Sequence, residues 1–158
     1  MNFSREINHL LLPNEVFFLL VEERVAQGEL VRINVKGQSM TPFLIGGRDK
    51  VELIKPSADS LRKGRIVLAH LGENRYVLHR VVRISNGKVL LKGDGNLYGL
   101  EQCEVNQVVA EAIHFIRNKK KYNYKNCTWK LASWLWPDKA FLRRILLFLW
   151  RKIYLKHT

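Results

Sequence analysis

With 158 residues, 47% of them hydrophobic, the chain is long enough to bury one sizeable core and too apolar to be disordered. Its net charge of +13 is unevenly held: residues 117–158 carry twelve Lys/Arg against the single Asp138, whereas residues 1–116 carry fifteen against thirteen Asp/Glu. Cys103 and Cys127 stand alone, with no CxxC and no histidine at ligand spacing, which favours two buried thiols over a disulfide or zinc framework.

The first residues, MNFSREINHLLLPNEVFF, lack the basic start, long apolar stretch and small-residue cleavage site of a signal peptide. Leu10-Leu11-Leu12 stops at Pro13 and Phe17 to Val21 stops at Glu22-Glu23, so no stretch reaches the ~18 apolar residues that argue for a membrane span. A cytoplasmic protein, or one peripheral to the cytoplasmic face of a membrane, is expected. Asn14 can cap a helix behind Pro13, and Val16, Phe17, Leu20, Val21 and Val25 recur at helical spacing, which predicts an amphipathic helix over 15–27 ending at Gly28.

From Leu30 the period changes. Leu30–Val35, Lys50–Lys55, Arg65–Leu71, Arg75–Ser85, Lys88–Lys92 and Val105–Ile116 are short, rich in Val, Ile and Leu, and separated by turn formers. Asn86-Gly87 between two such runs predicts a type I′ hairpin. The expected fold is therefore mainly β, an antiparallel unit over 30–116 between an N-terminal helical segment (1–29) and a basic tail (117–158).

In the tail, residues 117–126 read as a polar, basic linker. Two apolar pieces follow, broken at Pro137, with Asp138 as an N-cap. In the second piece Leu142, Ile145, Leu146, Leu149 and Ile153 share a face opposite Arg143, Arg144 and Arg151. One reading packs this amphipathic tail on the β unit. Another lays residues 128–156 in an anionic membrane interface, with Trp129, Trp134, Trp136 and Trp150 near headgroups. Nucleic acid is disfavoured, because the cations interleave with Leu and Ile rather than forming a solvated patch.

Two residues carry the chemistry. Ser39 lies in Gly37-Gln38-Ser39-Met40-Thr41-Pro42-Phe43-Leu44, and His79 in Leu78-His79-Arg80-Val81-Val82. A serine hydroxyl becomes a nucleophile near neutral pH when a base takes its proton, and imidazole titrates in the useful range. Gly93 and Gly95 lack phosphate-loop spacing, and neither a cofactor nor a metal is expected.

KGQSMTPFL, then LHRVV, then Lys92-Gly93-Asp94-Gly95-Asn96 resemble, in that order and over roughly residues 30–115, the successive boxes of the signal peptidase I superfamily. That group also contains the self-cleaving peptidase domains of SOS-response repressors. The resemblance implies a coiled antiparallel β-fold and a serine endopeptidase acting on a peptide or precursor protein through an acyl-enzyme. Some members use a lysine base. The His-Arg-Val context resembles the branch, archaeal and endoplasmic-reticulum signal peptidases, that uses histidine. By that resemblance Ser39 is the nucleophile, His79 the general base and Asp94 the residue that orients the imidazole. Gly37, Gln38, Met40 and Pro42 would frame the substrate and oxyanion, with the Ser39 N–H as donor. Some members place a hydroxyl two positions before the serine, where this chain has Gly37. The histidine branch often adds a second acid beyond the Gly-Asp box, and Glu101 is the one nearby. Arg65 stands where an acid is usual. A non-catalytic module that holds a peptide in the same groove is the alternative.

Overall fold

The computed structural model describes residues 5–6, 13–124, 131, 135–137 and 139–156 and, of residues 5, 6 and 154–156, the backbone alone. The chain is mainly β, as the sequence predicts, with a helix at either end. The strands are β1 (Arg5–Glu6), β2 (Val31–Asn34), β3 (Lys50–Ile54), β4 (Ile66–His70), β5 (Tyr76–Ser85), β6 (Lys88–Lys92), β7 (Glu101–Glu104), β8 (Val108–Arg117) and β9 (Lys120–Asn123). The helices are α1 (Asn14–Ala26) and α2 (Ala140–Lys156). One sheet runs β1-β2-β3-β8-β4-β5-β6-β7, with β9 on β8. Every pairing is antiparallel except β1 with β2.

Two apolar clusters lie on opposite faces of the central strands. Phe17, Val21 and Val25 of α1 pack on Val31, Ile33, Val51, Leu53, Ile66 and Leu68, while Val67, Ala69, Val81, Val89, Leu91 and Cys103 form the second cluster. Strand β4 is buried on both sides because successive side chains point to opposite faces: Ile66 and Leu68 enter one cluster, Val67 and Ala69 the other. Register shifts at Glu52/Leu53, Leu68/Ala69 and Val81/Arg83 insert bulges, which bend strands and let the sheet curl between the two cores.

Local chemistry departs from expectation in three places. Pro13, extended at φ −53 and ψ 146, occupies the N-cap of α1 without a side-chain cap, so Asn14 is already helical instead of capping. The expected linker contains β9, because Asn118 and Lys119 both adopt positive φ and turn the chain back on β8. Strand β7, with sequence EQCE, buries only Cys103, and so shows no apolar run to recognise. The Asn86-Gly87 turn has positive φ at both residues, as a type I′ hairpin requires. Asp138, Cys127, Trp129 and Trp134 lie outside the described residues.

Candidate functional site

Ser39 sits on the loop between β2 and β3, and that loop is fastened at both ends. Val35 N–H donates to Asp49 O and Gly47 N–H to Val35 O, each at 2.9 Å. The buried Asp49 carboxylate accepts from Ile45 N–H at 2.9 Å, from Arg48 Nε at 2.7 Å and from Arg117. Arg117 also donates to Phe43 O at 2.7 Å, which ties the loop to β8. Burial alone would raise the Asp49 pKa. The Arg48 and Arg117 guanidiniums and the Ile45 N–H outweigh it and hold the carboxyl below its ordinary value.

Within this frame the predicted substrate and oxyanion residues separate. Met40 is in the α1-facing core. Gln38 Oε1 accepts from the Thr41 hydroxyl at 2.9 Å. Gly37 has φ +73, and its carbonyl accepts from Gly46 N–H. Pro42 is half-buried and joined to Thr41 by a cis peptide. Ser39 itself is half-buried, and its carbonyl accepts from Gly95 N–H at 2.7 Å.

That bond brings the Gly93–Asn96 turn against the serine. A Cβ added at Gly93 would lie 2.4 Å from Ser39 O, 2.8 Å from Asn96 Nδ2 and 3.0 Å from His79 Nε2. Ser39, Asn96 and the far nitrogen of His79 therefore crowd one side of the Gly93 backbone. Among the described residues no hydrogen bond joins the Ser39 hydroxyl to His79; the glycine turn is what brings them together.

His79 is buried on β5, on the same face as Val77 and Val81, which pack in the second cluster. Its Nδ1 lies 2.6 Å from Glu101 Oε2, close enough for a strong charge contact though not aligned as a hydrogen bond. Glu101 opens β7 opposite Leu91, and Leu91 faces Val81 two residues beyond His79, so the sheet register delivers the acid. Burial pushes the imidazole pKa below its ordinary value; Glu101 and Asp94 pull it back up only in part, and Arg75 adds to the lowering.

Asp94 is engaged elsewhere. Arg80 Nε and an Arg80 terminal nitrogen reach its two oxygens at 2.8 and 2.6 Å, a buried bidentate pair, and Arg80 also donates to Gly64 O at 2.8 Å. The side chain at the imidazole is thus Glu101, not Asp94. Arg65, which replaces an expected acid, lies 3.1 Å from buried Glu111 and over the Tyr124 ring.

The C-terminal region reaches the same turn, which the sequence did not signal. Trp136 Nε1 donates to Asp94 O at 3.0 Å, and its ring meets Phe43 edge-on at 5.4 Å. Arg143, 4% exposed, donates to Asn96 O at 2.9 Å, Gly93 O at 3.4 Å and Pro137 O at 3.0 Å. Trp136 therefore faces the glycine turn. The expectation that the apolar face of α2 packs on the β unit is also reversed: Arg143 and Leu147 are buried, while Leu142, Ile145, Leu146, Leu149 and Ile153 are exposed. Buried Arg143 has carbonyl acceptors waiting in the turn, and those bonds outweigh the loss of apolar contact.

Among the described residues no cluster of His, Cys, Asp and Glu could hold a metal ion. No curated protein matches the sequence. The family model described as Peptidase S24-like matches residues 4–114, which include the serine loop, β5, the glycine turn and Glu101. With that match over most of its length and with this fold, the chain belongs to the Peptidase S24-like family.

Proposed function

We propose that the protein is a serine endopeptidase of the histidine-base branch, with Ser39 as nucleophile, His79 as general base and Glu101 as the acid behind the imidazole. The observation that carries this reading is the orientation of His79: Nδ1 faces a carboxylate while Nε2 faces the turn against which Ser39 is held. The carboxylate beside Nδ1 favours the proton on that nitrogen, which leaves Nε2 a free lone pair, the tautomer a general base needs.

In the reaction, His79 Nε2 takes the Ser39 Oγ proton as Oγ bonds to the scissile carbonyl carbon. The carbonyl oxygen becomes an oxyanion facing the Ser39 N–H. The imidazolium, stabilised by Glu101, then protonates the leaving amine as the C–N bond breaks. Water, deprotonated by the same nitrogen, releases the acyl group from Ser39. The Ser39 hydroxyl would meet Nε2 in the substrate complex, since catalytic hydrogen bonds often tighten only when substrate binds.

The test is labelling with a serine-reactive acylating probe. Wild type should be modified at Ser39, Ser39→Ala should be silent, and His79→Ala should react ~10²-fold more slowly or less. Equal labelling of wild type and His79→Ala removes the dyad. Silence of the folded wild type points to a peptide-holding module instead.

A further inference from the structure

Helix α2 has an inner and an outer face of opposite character. Arg143 and Leu147 are buried and Ala140 and Trp150 half-buried, so these four positions mark the inner side. On the outer side Phe141, Ile145, Phe148, Leu149 and Ile153 are each between 41% and 72% exposed. Soluble proteins seldom leave so continuous an apolar strip in water, and such strips mark interaction surfaces. Arg144 and Arg151 flank the strip, seven residues apart and so on one side of the helix, and Lys152 Nζ reaches over the Phe148 ring at 4.8 Å. Between Ala140 and Lys156 there is no Asp or Glu.

We propose that the outer face of α2 docks in the interface of an anionic lipid surface. Its chemistry suits that occupant: a large apolar arc, cations at its edge, and no acid to be repelled. Among the described residues no helix is long and apolar enough to cross a bilayer, which fits a helix lying in the interface plane. A second copy of the chain fits less well. An antiparallel two-fold pairing of these faces would bring the Arg144, Arg151 and Lys152 group of one copy alongside that of the other, a like-charge contact. The inference is independent of the serine chemistry, but it has a geometric consequence. The inner face holds the carbonyls of Gly93 and Asn96 through Arg143, so a docked helix would bring the candidate site to the lipid surface.

Sedimentation with phosphatidylcholine vesicles, with and without about one-third phosphatidylserine, tests the proposal on the full chain. Anionic vesicles should retain the protein at least tenfold better than neutral ones, and added salt should weaken retention. Arg144→Gln with Arg151→Gln should lower partitioning to anionic vesicles about thirtyfold, as expected for two cations near a charged leaflet. Ile145→Ser with Leu149→Ser should lose retention at least tenfold, with an unchanged thermal midpoint showing that the fold is intact. Ser39→Ala should be retained like wild type, which separates this proposal from the peptidase reading. No retention by either vesicle, or equal retention of the Ile145/Leu149 variant, overturns it. So does a solution dimer that this variant dissociates while anionic vesicles leave the wild type in the supernatant.

Discussion

Glu101 Oε2 stands 2.6 Å from His79 Nδ1, and the two residues are brought together by strand pairing rather than by proximity in sequence. Arg75 is in contact with the same carboxylate at its exposed side. The imidazole is therefore held between an acid on one nitrogen and the glycine turn on the other. A buried imidazole with a carboxylate behind it resists protonation at rest and is stabilised as a cation when it has taken a proton from a nucleophile.

The sign of the resulting pH dependence follows. Burial lowers the His79 pKa, so the neutral base should persist below the ordinary value of about 6.5, and the acid limb of Ser39 labelling should fall below that pH. Glu101 raises the His79 pKa. Glu101→Gln should therefore move the acid limb further toward low pH while cutting the plateau rate by about 10² or more, as imidazolium stabilisation is lost. Labelling rate against pH for both proteins measures this. A limb that moves upward in Glu101→Gln contradicts the assignment.

Asp94 should behave differently from Glu101. Its carboxylate neutralises Arg80, whose side chain is only 12% exposed, so Asp94→Asn leaves a largely buried guanidinium without its counter-charge. The expected loss is about 3 kcal/mol of stability, as for other buried pairs from which one partner is removed. In the folded fraction, labelling should fall far less than in Glu101→Gln. Urea unfolding together with labelling of both variants separates a stabilising acid from one that serves the imidazole.

Which parts of this were legible in the sequence follows from the range of the signals. The antiparallel core was readable because Val31, Ile33, Val51, Leu53, Val81 and Val89 leave a local alternation, and Asn86-Gly87 announces its own turn. Ser39 and His79 stood out as a candidate pair through their local contexts. The acid beside His79 did not, because Asp94 lies in the Gly-Asp box and Glu101 shortly beyond it, and register decides between them. Arg80, next to His79 in sequence, faces away from it and captures Asp94. Arg143 looked like a solvent-facing cation on a helical wheel. Its burial depends on the Gly93 and Asn96 carbonyls in a turn some fifty residues earlier, and a local period cannot report that.

Gly93 should admit no side chain. The added methyl of Gly93→Ala would stand 2.4 Å from Ser39 O, a backbone atom that cannot swing aside, and 3.0 Å from His79 Nε2. The turn or the serine loop must shift, at a cost of about 1–3 kcal/mol typical of overpacking. Since a 1 Å misplacement can cost ~10² in rate, Ser39 labelling should fall at least that far in folded protein. Gly99→Ala provides the contrast: its φ of +92 carries backbone strain, but no heavy atom lies within 4 Å of the new methyl. It should lose some stability and much less labelling.

Arg143 should act on the serine through the turn. Its guanidinium holds Gly93 O and Asn96 O, and between those residues Gly95 N–H donates to Ser39 O at 2.7 Å. Arg143→Ala removes the charged donor and leaves these carbonyls without it, a loss of about 1.5–3 kcal/mol for a hydrogen-bonded charged group. If that energy is released locally, the Gly95 amide should exchange with solvent about 10- to 100-fold faster, while amides in β4 and β8 change little. A purely global destabilisation would instead accelerate all of them together. The released turn should also let water reach His79. Its pKa, lowered chiefly by burial, should then rise, and the acid limb of Ser39 labelling should move back toward 6.5. Arg143→Lys keeps the charge and can still reach a carbonyl, so it should recover part of both effects. Hydrogen exchange and the labelling profile of the two variants decide the matter: an unchanged Gly95 amide in Arg143→Ala would separate the C-terminal helix from the site.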